Sequence, residues 1–322
     1  MSNTVVVLVN YNGARDTAQC VKSLHLSSKR PAIVVVDNTP NDPILESAIS
    51  SYTDVHIIRS SENLGFGRGN NLGIRWALAK NYPYIFILNN DTQVKPDTIQ
   101  NLEEAIDKLG VGIVAPRIVF SENPDVLWYG GGDIDWRRGG AVVPGIFRPA
   151  NSSDAMCQRE VSFVSGCAMF VKRDVFKRIG GFDPRFFMYE EDLELCLRAK
   201  ENQIKLVYIP NALVLHKGQG SLRELGEEFI SIWDPQNPRL SFYVFHIVRN
   251  RLLNMGIHAK GKNLVKFIFG FPILVGWKAL LFLKSGSLVG IQSIFRGFSS
   301  YLGVRKIKFV DEIKTDSIVE HK

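Results

Sequence analysis

Cysteine is scarce. There are four in 322 residues (Cys20, Cys157, Cys167, Cys196), and no two form a CxxC pair. That excludes a disulfide framework and a structural zinc site, and it fits a reducing cytosol. Glycine and proline stay at ordinary levels, which excludes a collagen-like or linker protein. No signal peptide is expected either: the opening MSNTVVVLVNYNG has a short valine run without a basic n-region and reads as a strand. Nor is there a long apolar run. The best membrane candidate, 264–283, contains Lys266, Pro272 and Lys278, and its longest uncharged stretch is the eleven residues 267–277. A spanning helix needs about 20, so an in-plane or re-entrant element is expected there. Acid is absent from one whole region: residues 239–310 hold 12 Lys/Arg and no Asp or Glu, whereas residues 1–238 hold 25 Lys/Arg against 28 Asp/Glu. A nearly neutral body therefore carries a basic, apolar tail, and the tail is expected to meet something anionic, either nucleic acid or a membrane surface.

What is present reads as globular, with 45% hydrophobic and 22% charged residues. Short apolar runs at 5–9, 33–36, 55–58 and 84–88 alternate with helical stretches, one through about Ser27 and one over 69–80. This is the pattern of an α/β fold with a mostly parallel sheet covered on both faces. Ligands of such sheets sit beyond the carboxyl ends of the strands. Those ends carry Asn10, Asp37 and Asp91. Each alone reads equally well as an ordinary loop residue; together they describe a convergent site.

The glycine-rich stretch NLGFGRGNNLG at 63–73 fits a helix N-terminus, where free N–H groups attract phosphate. It lacks the Gly-Lys-Ser/Thr of a Walker loop, and it does not follow the first strand as a dinucleotide fingerprint would. Residues 128–149 are irregular and Gly-rich, fitting a substrate lid or a surface hairpin. An apolar run at 161–164 is a further strand candidate. It leads into the small residues Ser165 and Gly166, with a helix expected from about Arg173.

The sharpest cluster is Glu190-Glu191-Asp192 at the start of a helix, directly behind Phe186-Phe187-Met188-Tyr189. Acids there can simply complement the helix dipole. Placed behind four large apolar residues, a carboxylate also stands at the mouth of an apolar cleft, where a general base belongs. Asp91, next to Asn89 and Asn90, is suited to a hard cation that carries phosphate oxygens. His216 ends an apolar run and completes a metal site if it faces Asp91.

Asp37, ENLGFGRGNNLG, Asn89-Asn90-Asp91, VSGCAMFVKRDVFKRIGGFDPRFFMYEEDLELCLR and LHKGQGS occur in this order over residues 5–221. Together they resemble glycosyltransferase family 2 enzymes of the GT-A fold, and most of all bacterial rhamnosyltransferase-like members. Residues 242–253, with Tyr243 and Arg249-Asn250-Arg251, resemble a segment those members carry after the catalytic domain. The resemblance implies a GT-A catalytic domain over 1–238 and a basic helical region over 239–322. It implies a donor side of Asn10, Asp37, Asn63, Gly65, Arg68, Asn71, Asn89 and Asn90, with Asp37 on the donor's base or ribose. Asp91 would hold Mg2+ or Mn2+ on the diphosphate, with His216 as a further metal ligand or a diphosphate contact, although Asn89 replaces the first acid of the family's DXD motif. Asp192, paired with Glu191, would be the base of an inverting transfer. Trp136, Ser165, Gly166 and Tyr189 are acceptor-side candidates.

The implied partners are a nucleotide-diphosphate sugar and a glycan or lipid-linked glycan acceptor. dTDP-rhamnose is the first donor choice, ahead of UDP-galactofuranose and UDP-hexoses. A nucleotidyltransferase is the alternative enzyme, weakened by NYNGARD after the first strand. An inactive, membrane-bound sugar-nucleotide-binding protein is the alternative from another class. For the tail, the density of apolar residues disfavours nucleic acid. Ile291, Ile294, Phe295 and Phe298 fall on one helical face. Residues 239–310 are therefore expected on an anionic membrane, at the inner face of the cytoplasmic membrane, with packing on the body or on a second subunit as the competing reading.

Overall fold

The computed structural model describes residues 3–40, 44–218 and 231–314. The first half alternates as expected: β1 (Thr4–Asn10), α1 (Ala14–His25), β2 (Ala32–Asp37), α2 (Ile44–Ile49), β3 (Val55–Arg59), α3 (Gly65–Ala79) and β4 (Tyr84–Asn89). β1 has no solvent-facing side: Val5, Val6, Val7 and Leu8 are all fully buried. A strand buried on both faces reads as a continuous run of β-branched residues. β1 lies parallel between β2 and β4, with Asn10 level with Asp37 and Val9 level with Asn89.

The second half supplies β5 (Thr92–Val94), α4 (Thr98–Leu109), β6 (Ile113–Phe120), β7 (Leu127–Tyr129), β8 (Asp133–Asp135), β9 (Gly140–Val142), β10 (Arg159–Val161), β11 (Ala168–Lys172), α5 (Arg173–Ile179), α6 (Glu191–Glu201) and β12 (Leu206–His216). Among the described residues, ten strands form one sheet along the path β10-β12-β6-β11-β4-β1-β2-β3, with β5 on β12 and β7 on β6. β11 runs antiparallel between β4 and β6, and β12 runs parallel to β6. Consequently the start of β11 meets the carboxyl ends of β1, β2, β4, β6 and β12 at one edge of the sheet.

Two boundaries differ from expectation. α3 starts at Gly65 rather than 69, because the glycine-rich stretch is the helix itself, laid close on β1 with Gly69 against Val9 and Gly73 against Val7. The apolar run 161–164 is not one strand. β10 ends at Val161, where it pairs with Leu206, and Phe163 turns away to bond its N–H to the Gly132 carbonyl at 3.0 Å. The irregular stretch 128–149 contains the two-stranded hairpin β8–β9.

Three helices follow: α7 (Leu240–His258), α8 (Gly261–Lys284) and α9 (Leu288–Val304). α8 is continuous through Pro272 and is long and apolar enough to cross a membrane by length and composition. Val244, Val248 and Met255 of α7, with Phe267, Phe271, Val275 and Phe282 of α8, join the same hydrophobic cluster as the sheet. The expected stripe on α9 straddles the core boundary: Ile294 is buried and Ile291 packs against the core, while Phe295 is 68% exposed.

Candidate active site

The carboxyl edge of the sheet holds a hydrogen-bonded chain of short polar side chains. Asn10 donates to Asp37 Oδ1 at 2.9 Å, and the Thr39 N–H donates to the same oxygen at 3.1 Å. Thr17 donates to Asn10 Oδ1 at 2.9 Å and accepts from Asn90 at 2.9 Å. The structure therefore joins Asn10, Asp37 and Asn90 through Thr17, which motif reading misses. Thr17 lies in the first turn of α1, directly after the β1 strand end, and that position is its only signal in the sequence. Asn89 closes β4, its N–H bonded to the Cys167 carbonyl at 2.9 Å.

The other donor-side candidates sit on α3 and are engaged within the protein. Asn63 Oδ1 caps the Gly65 N–H at 3.0 Å, and the Phe66 N–H bonds the Phe187 carbonyl at 3.0 Å. Gly65 has φ +77°, and a Cβ there would lie 2.1 Å from that carbonyl oxygen. The first two amides of α3 are thus used by the chain. Arg68 pairs with Glu312 at 2.9 Å. Asn71 clasps the backbone of Phe182, donating to its carbonyl and accepting from its N–H, both at 2.8 Å. Arg68 and Asn71 therefore both engage Glu312.

Asp91 and His216 come together because Thr92 of β5 pairs with His216 of β12. Asp91 Oδ1 lies 3.2 Å from His216 Nε2, and Trp128 meets the imidazole edge-on at 4.6 Å. Burial disfavours charge on both groups, but each stabilises the other. The carboxyl is held below its usual range, and the imidazole well above its own. Among the described residues, no three His, Cys, Asp or Glu side chains converge as a metal cage. The Asp91 carboxylate nevertheless suits a hard cation whose remaining ligands are phosphate oxygens and water. His216, held protonated against it, would join as a ligand only after losing that proton, and as an imidazolium it suits a diphosphate oxygen instead. The Lys217 N–H bonds the Asp91 carbonyl at 3.0 Å, and its ammonium reaches Asp16 at 3.2 Å. Gln219, Gly220 and Ser221 lie outside the described residues.

Opposite this pair, Asp192 occupies the first turn of α6. Its Oδ2 accepts from the Gly166 N–H at 2.9 Å, and its Oδ1 from the Leu193 N–H at 2.8 Å. A side chain at Gly166 would crowd the Phe66 ring at 2.9 Å, so glycine permits this close approach. Burial, aided by the charge of Glu190, pushes the Asp192 carboxyl up to about 6 despite those hydrogen bonds. Glu191 is buried, and desolvation together with the Asp192 charge raises its carboxyl well above the usual range. Ser165 accepts from the Cys167 N–H at 3.2 Å, and the Cys167 thiol senses His216, Asp91 and Asp192. Residues 165–167 thus connect the Asp91–His216 pair to Asp192.

Tyr189 and Glu190, just before α6, both have left-handed backbones, with φ of 67° and 69°. Such conformations cost about 1–3 kcal/mol each unless the surroundings impose them. α7 imposes them. Asn250 donates to the carbonyls of Met188 (2.9 Å) and Tyr189 (2.6 Å), and Asn254 donates to that of Glu190 (3.0 Å). Arg251 pairs with Glu190 at 2.8 Å. Tyr189 packs against Phe242 and Tyr243 of α7. The roles of Asn250, Arg251 and Asn254 escape motif reading. Their signal is two asparagines four apart inside an apolar helix, since buried amides are costly without partners. Of the acceptor-side candidates, Ser165 and Gly166 adjoin Asp192 and Tyr189 leads into it. Trp136 is half-buried in the β8–β9 turn, and the neighbouring Arg138 carbonyl accepts from Arg251.

The model of glycosyl transferase family 2 matches residues 5–180. The low-salt glycan biosynthesis hexosyltransferase Agl10 of Haloferax volcanii is 26% identical over 302 residues, 89% of this chain and 91% of that protein. N-acetylglucosaminyl-diphospho-decaprenol L-rhamnosyltransferase of Mycobacterium tuberculosis is 30% identical over 232 residues, 66% of this chain and 75% of that protein. Among solved structures, GalNAc-T7 with UDP, GalNAc and Mn2+ superposes with a TM-score of 0.54 at 19% identity, over 76% of this chain and 48% of that one, a likeness of fold.

Proposed function

Because the chain belongs to glycosyl transferase family 2, we propose that it moves L-rhamnose, with inversion, from a nucleotide-diphosphate donor to a hydroxyl of a lipid-linked glycan. The observation that carries this reading is the pairing of two sites at one sheet edge. A polar cradle and the Asp91–His216 pair are joined through residues 165–167 to Asp192, whose carboxyl is raised to about 6. Asp37, fixed by Asn10 and Thr39, accepts hydrogen bonds from the donor's base or ribose. Asp91 would hold a divalent cation, Mg2+ or Mn2+, on the donor diphosphate, with His216 beside it as a further ligand once deprotonated or as a contact to the diphosphate. When bound, such an ion offsets the negative charge that grows on the departing diphosphate. Asp192 takes the acceptor's proton as its oxygen attacks the anomeric carbon from the face opposite the leaving group. One base and one in-line displacement invert the anomeric centre. GalNAc-T7 was solved with Mn2+, and the mycobacterial relative is named for rhamnosyl transfer to a decaprenyl-diphosphate sugar; both support the reading.

The test is a binding and turnover screen of the purified chain with dTDP, UDP and GDP and their sugars, with Mg2+, Mn2+ or EDTA. Turnover of dTDP-rhamnose that EDTA abolishes is the expected result. Folded protein that binds none of the nucleotides would sink the proposal. Product with the donor's own anomeric configuration would remove the inverting mechanism.

A further inference from the structure

A helix packed on a globular body normally turns its large apolar residues inward. α9 does so only in part, with Ile294 buried and Ile291 packed on the core. Its buried positions are Gly290, Ser293, Ile294 and Gly297, mostly small, and Ser293 donates to Ser241 of α7 at 3.0 Å. Its large residues Leu288, Phe295 and Leu302 recur every seventh position, share one face, and are 66%, 68% and 51% exposed. α8 is apolar on both sides. Phe267, Phe271, Val275 and Phe282 enter the core, while Val265, Phe269, Ile273, Trp277 and Leu280 on the opposite side are all more than half exposed. Beyond α9 the chain continues Arg305-Lys306-Ile307-Lys308-Phe309-Val310, three bases among three apolar residues, all exposed although Phe309 lies against Arg198. Monomer surfaces scatter such residues singly; two consecutive helices presenting them together mark an interaction surface.

Charge identifies the occupant. Lys262 and Lys266 near the start of α8, Lys284 at its end, and the bases at 305, 306 and 308 are exposed, and residues 239–310 contain no acid. A second copy would bring base against base. An anionic bilayer satisfies both the apolar face and its basic margin. The packing also decides the orientation. Phe267 lies against Gly139 of the β8–β9 hairpin, Gly270 against Arg137, and Phe282 against Gly290. A crossing α8 would drag Arg137 and Arg138 into hydrocarbon. We infer that the outward faces of α8 and α9, with residues 305–310, dock the enzyme in the plane of an anionic lipid surface. The inference stands apart from the glycosyl-transfer reading, because none of these residues touches the candidate active site.

The test is flotation of the full chain with phosphatidylcholine vesicles and with phosphatidylglycerol–phosphatidylcholine vesicles. Binding to the anionic vesicles alone, weakened by high salt, is expected. Ile273→Glu and Phe295→Glu should each lower the vesicle partition about tenfold or more. Each Lys→Gln at 262, 266 or 284 should lower it about fivefold. All five positions are exposed, and an unchanged thermal melt verifies that each variant folds. Equal binding to both vesicle types overturns the anionic surface. A dimer that Ile273→Glu dissociates, in a chain that binds no vesicle, overturns the bilayer in favour of a second copy. Nucleotide binding on the same samples reports separately on the enzyme reading, which fails alone if vesicles bind and nucleotides do not.

Discussion

A carboxyl with an ordinary value of 3.8 that rises to about 6 on folding penalises the folded state wherever it must ionise. The folded chain binds this proton more tightly than the unfolded one, so the penalty is absent below 3.8, grows between 3.8 and about 6, and is complete above. Replacing Asp192 by Asn removes it. Asp192→Asn should therefore raise stability at pH 7 by on the order of 3 kcal/mol and leave it nearly unchanged near pH 3.5, read by thermal melts at the two pH values. The same substitution should cut turnover about 10²–10⁴-fold with nucleotide binding retained. In the wild-type chain kcat should rise with pH through about 6 and then level, since only the ionised carboxylate accepts a proton. An Asp192→Asn variant as active as wild type would mean that another group is the base.

At the scale of elements, α7 connects the tail to the chemistry. Glu190 raises the Asp192 carboxyl, and Arg251 of α7 pairs with Glu190. Arg251→Ala leaves the Glu190 charge uncompensated, so the acid limb of the kcat–pH profile should move to higher pH. Arg251→Lys keeps a positive charge there and should hold the limb nearer its original position, even if the fork geometry is lost. A limb that ignores both substitutions would reduce Arg251 to a packing residue. α3 shows the opposite relation between pattern and role. Its glycines look like a phosphate cradle, yet Gly65 and its neighbours serve the contact with Phe187 and the close approach to β1.

At the scale of the whole molecule, the tail and the sheet share one hydrophobic cluster. A chain ending at residue 238 would expose the core side chains that α7 covers. It would also strip the Met188, Tyr189 and Glu190 carbonyls of their donors. Such a fragment is expected to lose its cooperative thermal transition and bind ANS, measured by circular dichroism and fluorescence. A sharp melt from residues 1–238 alone would show that the α/β body is self-sufficient.

The alternation of β-branched runs with helices determined the parallel part of the sheet, because a strand buried on both faces keeps its polar positions to its ends, where they find partners. Parallel register then obliges Asn10 and Asp37 to share one edge. The acids of α6 were legible for a similar local reason, since a helix N-terminus favours negative charge. What lay beyond reach was long-range. Asn250 and Tyr189 are 61 residues apart, and no local pattern announces that the amide of one will hold the backbone of the other. The capture of the α3 amides by Phe187 is equally invisible, because a free N–H and a spent one have the same sequence. The stripe on α9 shows the division most plainly: helical periodicity determines which residues share a face, but the small residues packed inward rotate that face so that Ile291 and Ile294 meet the core and Phe295 meets solvent.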